Sequence, residues 1–197
     1  ILRLEARGLA VVAFVSQQPN AASAYYVGIN NEAAGRTVGQ LMARFTGQRQ
    51  GTVLVLTEIM QSRDSQERRL GFDKIMGKYS ERLKIAPSME TYGDPLRSEN
   101  ILRSALQSLS PVVGIYLMHH DIFKIMQVID GLGMAQQIVV MCHELTSNTH
   151  NRLFDGSIDA VINQDVGHLV HSSIRLLRAK ITQTSHVVSQ DRIRTEI

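Results

Sequence analysis

Tryptophan is absent, phenylalanine and tyrosine number five each, and cysteine occurs once in 197 residues. With aromatics at 5%, a core must be filled by aliphatic side chains and by the eight methionines. The lone Cys142 excludes an internal disulfide and leaves the redox compartment open. No apolar stretch approaches the ~20 residues of a membrane-spanning helix. Arg3 and Arg7 precede the apolar Gly8–Val15 as in a secretory signal, but Glu5 interrupts the pattern. Ser16-Gln17-Gln18-Pro19 supplies no small-x-small cleavage site, so this stretch reads as a helix end, a Gly8 stop and a buried strand over Ala10–Val15. Neither a G-x-G-x-x-G turn nor a Walker pattern occurs, which disfavours nucleotide chemistry. Twenty-one basic residues stand against eighteen acidic ones, scattered along the chain, a charge of +3 that falls short of the clustered footprint of a nucleic-acid-binding domain.

What is present is a 44% hydrophobic sequence in which strand and helix signals alternate. Helical spacing predicts helices over 31–45, 62–79, 96–109, 122–132, 146–154 and 166–179. Short β-branched runs predict strands over 10–15, 52–56, 83–86, 112–118, 138–141 and 159–163, with a last short one around 186–188. Repeated βα alternation implies an α/β fold with parallel sheets flanked by helices. Three of the apolar runs end abruptly in polar residues: His119-His120-Asp121, Cys142-His143-Glu144 and Asn163-Gln164-Asp165. In open parallel sheets ligands bind in the crevice beyond the strands' carboxyl ends, so three polar clusters at one edge point to a site that hydrogen-bonds a polar small molecule.

Arg68 falls one helical turn before Phe72 on the helix that follows the strand predicted over 52–56, nearer the sheet edge. There its guanidinium could give bidentate bonds to hydroxyls or a carboxylate. On spacing alone it fits equally a surface arginine paired with Asp64 at i,i+4. The histidines with Glu144 are metal-ligand types, but zinc needs three or four converging ligands and the sequential pair is adjacent. Asp121 also fits as the cap of the helix that follows. Cys142 and His143 are neighbours that a continuing strand would point to opposite faces, and no oxyanion-hole pattern accompanies them, which argues against an enzyme.

With those residues in view, the chain resembles the effector-binding domain of the lac repressor family and the ribose-type periplasmic sugar-binding proteins. The resemblance rests on Val27-Gly28-Ile29-Asn30-Asn31-Glu32-Ala33-Ala34-Gly35, on Arg68-x-x-Gly71-Phe72 and on the three polar clusters. It departs from the family at His120, where the family has Asn, and at Glu144, where it has Asp. The resemblance implies a two-lobed periplasmic-binding-protein-like fold, with ligand contacts from Arg68, His120, His143, Glu144 and Gln164 and from Ser16 of the first lobe. It places residues 1–48 in the N-terminal lobe, 49–163 in the C-terminal lobe, 164–183 back in the first and 184–197 back in the second. It further implies that the opening part of the first lobe lies outside this chain. The function implied is that of a cytoplasmic, homodimeric regulator, not a membrane protein and needing no cofactor. Such a regulator binds a sugar or polyol effector and contacts operator DNA through a separate N-terminal domain. A periplasmic receptor of a sugar transporter is the alternative, and Cys142-His143-Glu144-Leu145-Thr146 resembles a subgroup of the regulators.

Overall fold

The computed structural model describes residues 1–16, 25–118 and 122–184, together with the backbone of 192–193 and 195–196. Its strands form two sheets. The first joins β1 (Val12–Phe14), β2 (Tyr25–Ile29) and β8 (Arg192–Ile193) in that order, all parallel. The second holds β3 (Gly51–Thr57), β4 (Leu83–Glu90), β5 (Val112–Leu117), β6 (Val139–His143), β7 (Ala160–Gln164) and β9 (Thr195–Glu196). Its order is β4-β3-β5-β6-β7-β9, parallel except for the β7–β9 pair. This is the α/β architecture that the alternation of elements implied, in two sheets as the family resemblance implied.

The second sheet is buried on both faces, and its strands sort their side chains by parity, as a pleat requires. Val53, Val55, Tyr116, Met141 and Ile162 pack on one side, against helices α2 (Asn31–Phe45) and α3 (Arg63–Met76). Leu54, Leu56, Ile115, Leu117, Val140, Cys142 and Val161 pack on the other, against α4 (Pro95–Ser108) and α5 (Phe123–Gly131). The edge strand β4 runs four residues past its expected end at Ala86 and takes in Pro87. An outer strand tolerates a residue without an N–H, and Arg69 donates there to the Ala86 carbonyl and to Ser88 Oγ.

Helix α2 belongs to the second lobe, which corrects the boundary expected at residue 48. Asn30 caps it by accepting from the Ala33 amide. A stripe of small residues then brings its backbone against α3: a Cβ on Gly35 would collide with the Arg68 carbonyl, and one on Gly71 with the Glu32 carbonyl. The chain therefore leaves the first sheet at Ile29. It returns through α7 (Val166–Thr182), capped by Asp165 and laid on β1 and β2 through Leu169 and Leu176. Lys180 ties α7 to α1 (Leu2–Glu5) through Glu5 at 3.0 Å. The tail, expected wholly in the second lobe, gives one short strand to each sheet. The strand expected around 186–188 lies outside the described residues.

Candidate ligand-binding site

Arg68 is anchored where the sequence placed it, but its partners differ from the i,i+4 reading. Ser62 caps α3 by accepting from the Ser65 amide, and the Ser65 hydroxyl meets Thr57 Oγ1 at 2.9 Å. Thr57 ends β3, so the first turns of α3 are pinned to the carboxyl edge of the second sheet. From there Arg68 Nε donates to Asn31 Oδ1 at 2.8 Å and Nη1 to the Met118 carbonyl at 3.0 Å. Asp64 accepts from Asn31 Nδ2 at 3.3 Å rather than pairing with Arg68. The i,i+4 ion pairs of this helix are Arg63–Glu67 and Arg69–Asp73. Arg68 is thus a buried, fixed guanidinium with Nη2 still available for a ligand, since no described residue accepts from it.

The second half of the site is built on β6 and β7. Leu117 pairs with Cys142, and His143 with Ile162, so Met118, Glu144 and Asn163 come to the same edge on adjacent strands. Glu144 adopts φ 69°, a left-handed conformation uncommon for a residue with a side chain. Its amide donates to the Ile162 carbonyl, and its own carbonyl accepts from Thr149 Oγ1 at 2.9 Å. Thr149 sits at the start of α6 (Ser147–Phe154), which is closed by a reciprocal capping box with Thr146. Gln164 Nε2 donates to Glu144 Oε1, and Gln164 Oε1 is buried with no acceptor role filled by any described residue. A buried amide oxygen without a donor costs about 1–3 kcal/mol. A ligand hydroxyl placed between Gln164 and Glu144 would recover that cost.

His143, expected as a ligand contact, lies within β6 at the sheet edge below Glu144. Strand β6 continues two residues beyond its expected end at Met141, so both Cys142 and His143 lie within the sheet, each 0% exposed. They point to opposite faces: Cys142 joins the α4/α5 core, and His143 Nε2 meets Tyr116 Oη at 2.8 Å. Tyr116 packs in turn against Phe72, ring centres 4.9 Å apart and planes tilted by 40°. Ser16 is exposed just past β1. His120, with His119 and Asp121, lies outside the described residues, and α5 begins after Ile122 with no side-chain cap.

Burial, with the Glu144 charge as a smaller contribution, pushes the Cys142 thiol up to about 12. The group is neutral in the fold below that pH and ionises near pH 8.5 once unfolded. Its contribution to stability is therefore complete below about pH 8.5 and is lost as pH rises towards 12. A thiol-reactive disulfide reagent at pH 8 is expected to label Cys142 only at the rate of unfolding. Rapid labelling of the native protein would show that β6 opens locally.

Sequence reasoning missed Asn31 and Asp64 as parts of the site. Asn31 was legible as the second Asn of the Val27–Gly35 segment, but only the fold shows that it holds Arg68.

The sequence profile of the family described as periplasmic binding protein domain matches residues 1–185. A search of curated proteins gives no significant match. Among solved structures, GanP, a glucose-galactose binding protein from Geobacillus stearothermophilus, superposes with a TM-score of 0.88 at 18% identity, over 98% of this chain and 69% of that one. An ABC transporter solute binding protein from Burkholderia graminis, in complex with D-arabinose, gives 0.85 at 22% identity over 98% and 68%. A periplasmic solute binding protein from Actinobacillus succinogenes with bound D-allose gives 0.84 at 18% over 94% and 68%. At such identities these likenesses establish the fold.

Proposed function

Because this chain belongs to the periplasmic binding protein domain family, a family of binding domains rather than enzymes, we propose that it binds a sugar or similarly hydroxyl-rich small molecule in the crevice between its sheets. The observation that carries the reading is the buried, unpartnered Gln164 Oε1 beside the half-buried Glu144 carboxylate, set at the same sheet edge as the fixed guanidinium of Arg68. A polyol supplies hydroxyls that donate to the acceptors and accept from Nη2, whereas an apolar ligand would leave Gln164 Oε1 and Arg68 Nη2 without partners. His120 is proposed as a further contact from the end of β5, and Ser16 as one from the first lobe. Ligand bound between lobes joined by crossing segments at Ile29–Asn31 and Gln164–Val166 biases their opening, by no more than its differential affinity for the two arrangements.

For the setting, the solved neighbours named as ABC transporter solute binding proteins with a bound sugar favour a receptor of a sugar transport system. The second reading is the effector-binding domain of a lac repressor-family regulator, cytoplasmic and dimeric, reaching operator DNA through a separate domain. One observation favours it: the Cys142-His143-Glu144-Leu145-Thr146 segment resembles that of repressor-type regulators. Fractionation of the native host separates the two, since a receptor is exported and a regulator is retained with its DNA.

The ligand reading itself is tested by thermal unfolding of the full-length protein with D-glucose, D-galactose, D-arabinose and D-allose. A ligand in thousandfold excess over its Kd stabilises by about 4 kcal/mol. At least one aldose is expected to raise the melting temperature in a dose-dependent way, and a flat response to all four would count against the reading.

A further inference from the structure

Arg68, Glu144 and Gln164 all belong to the second lobe, and a ligand held by one lobe alone could not draw the other over it. We propose that Tyr26 is the first lobe's ligand-contacting wall, offering its ring face and phenol oxygen to the sugar held by the second lobe. This deepens the ligand reading above and rests on it.

Tyr26 lies on β2, and its ring runs forward along its own strand over Gly28, where any Cβ would collide with the phenol. The phenol therefore reaches the carboxyl edge of the first sheet. It is fixed there by donating to the Val15 carbonyl at 2.9 Å, just past the end of β1. Val15 itself adopts φ 66°, and its amide donates to the Val27 carbonyl at 3.0 Å. A β-branched residue in the left-handed region is strained by on the order of 1–3 kcal/mol, and such strain persists where surrounding bonds enforce it. Here the enforcing bonds turn the Val15 carbonyl towards the phenol.

Gly28 is three positions before Asn31, about 10 Å of extended chain. Asn31 is the residue whose side chain bonds both Arg68 and Asp64. The phenol also feels the first two turns of α3. Burial pushes it up to about 12, the Asp64 and Glu67 carboxylates add to the rise, and Arg68 and Arg63 oppose it. Tyr26 thus lies within electrostatic reach of the helix that carries Arg68.

The chemistry suits a sugar. With its hydrogen committed to Val15, the phenol oxygen retains acceptor lone pairs for a hydroxyl, and the ring offers a flat apolar face to the C–H side of a sugar ring. Tyr26 is only half-buried, so this surface is available.

The test is calorimetric titration of the full-length protein with the aldoses named above, comparing Tyr26→Phe, Tyr26→Leu and Tyr26→Ala. An aromatic contact is worth about 0.5–1.5 kcal/mol beyond its area, or up to roughly tenfold in Kd. Leu and Ala are expected to weaken binding by about that factor or more, while Phe stays within about threefold of the unaltered protein. Tyr26→Leu keeps apolar bulk on the strand, so its result stands even if the Ala variant unfolds. Unaltered affinity in Tyr26→Leu would overturn the proposal and leave the ligand reading intact. No binding by the unaltered protein would remove both.

Discussion

Gly71→Ala and Gly35→Ala are expected to destabilise the fold by on the order of 3 kcal/mol each, near the upper end for overpacking. The added methyl meets a carbonyl oxygen of the facing helix, not the end of a flexible side chain. Neither neighbour can swing aside, so α2 and α3 must separate along their length. For a chain of this size such a loss lowers the melting temperature by roughly 6–12 °C. The separation also pulls Asn31 from Arg68, since the two bonded residues sit on the two helices being forced apart. Ligand affinity should therefore fall with stability. Gly131→Ala is the internal control: it ends α5 with no atom within 4 Å of the new methyl and no left-handed φ. It is expected to be neutral or to stabilise by about 0.5–1 kcal/mol. Equal melting temperatures for Gly71→Ala and Gly131→Ala would show that the α2–α3 contact is not the tight seam described here.

Arg68→Ala is expected to abolish measurable sugar binding and also to cost stability. A hydrogen bond from a charged donor contributes about 1.5–3 kcal/mol, so losing the Nη2 contacts alone weakens binding by roughly ten- to a hundredfold. The truncation also strips Asn31 Oδ1 and the Met118 carbonyl of their donor, about 1–3 kcal/mol for each group left buried and unpaired. Arg68→Lys keeps the charge but cannot span Asn31, Met118 and a ligand with one ammonium, so it should recover stability better than affinity. Arg103→Ala, which removes an exposed i,i+4 pair with Glu99, is expected to change stability by less than about 0.5 kcal/mol. The contrast between the two arginines is the content of the prediction. Wild-type affinity in Arg68→Ala would place the ligand elsewhere.

Most helices and the central strands were legible because their signals are local. Asn30, Ser62, Thr146 and Asp165 cap helices at or next to the residues where polar side chains precede an apolar stripe. Strand β2 was not read as a strand: Tyr25–Ile29 is five residues long, and Gly28 breaks its apolar pattern. That glycine accommodates the Tyr26 ring, a requirement invisible without the fold. Strand β6 was cut short at Met141 because Cys142 and His143 look like an exposed polar cluster. In the fold His143 Nε2 meets Tyr116 Oη inside the sheet, a partner 27 positions away that no local pattern announces.

The lobe boundary was misplaced for a related reason. Helix α2 follows β2 without a break, and only the glycines facing α3 reveal that it packs with the second lobe. Glu144 and Gln164 were singled out from strand-end chemistry and Arg68 from its place one turn before Phe72, and the β6–β7 register brings the first two to one edge. Asn31 and Asp64 were not, because their role is to hold Arg68 rather than to end a strand.

The most direct test of the central claim is a crystal structure of the full-length protein grown with the aldose that most raises its melting temperature. The account predicts one sugar between the two sheets, within hydrogen-bonding distance of Arg68 Nη2 and of the Gln164–Glu144 pair. A sugar bound outside that crevice, or touching neither Arg68 nor Gln164, would contradict it.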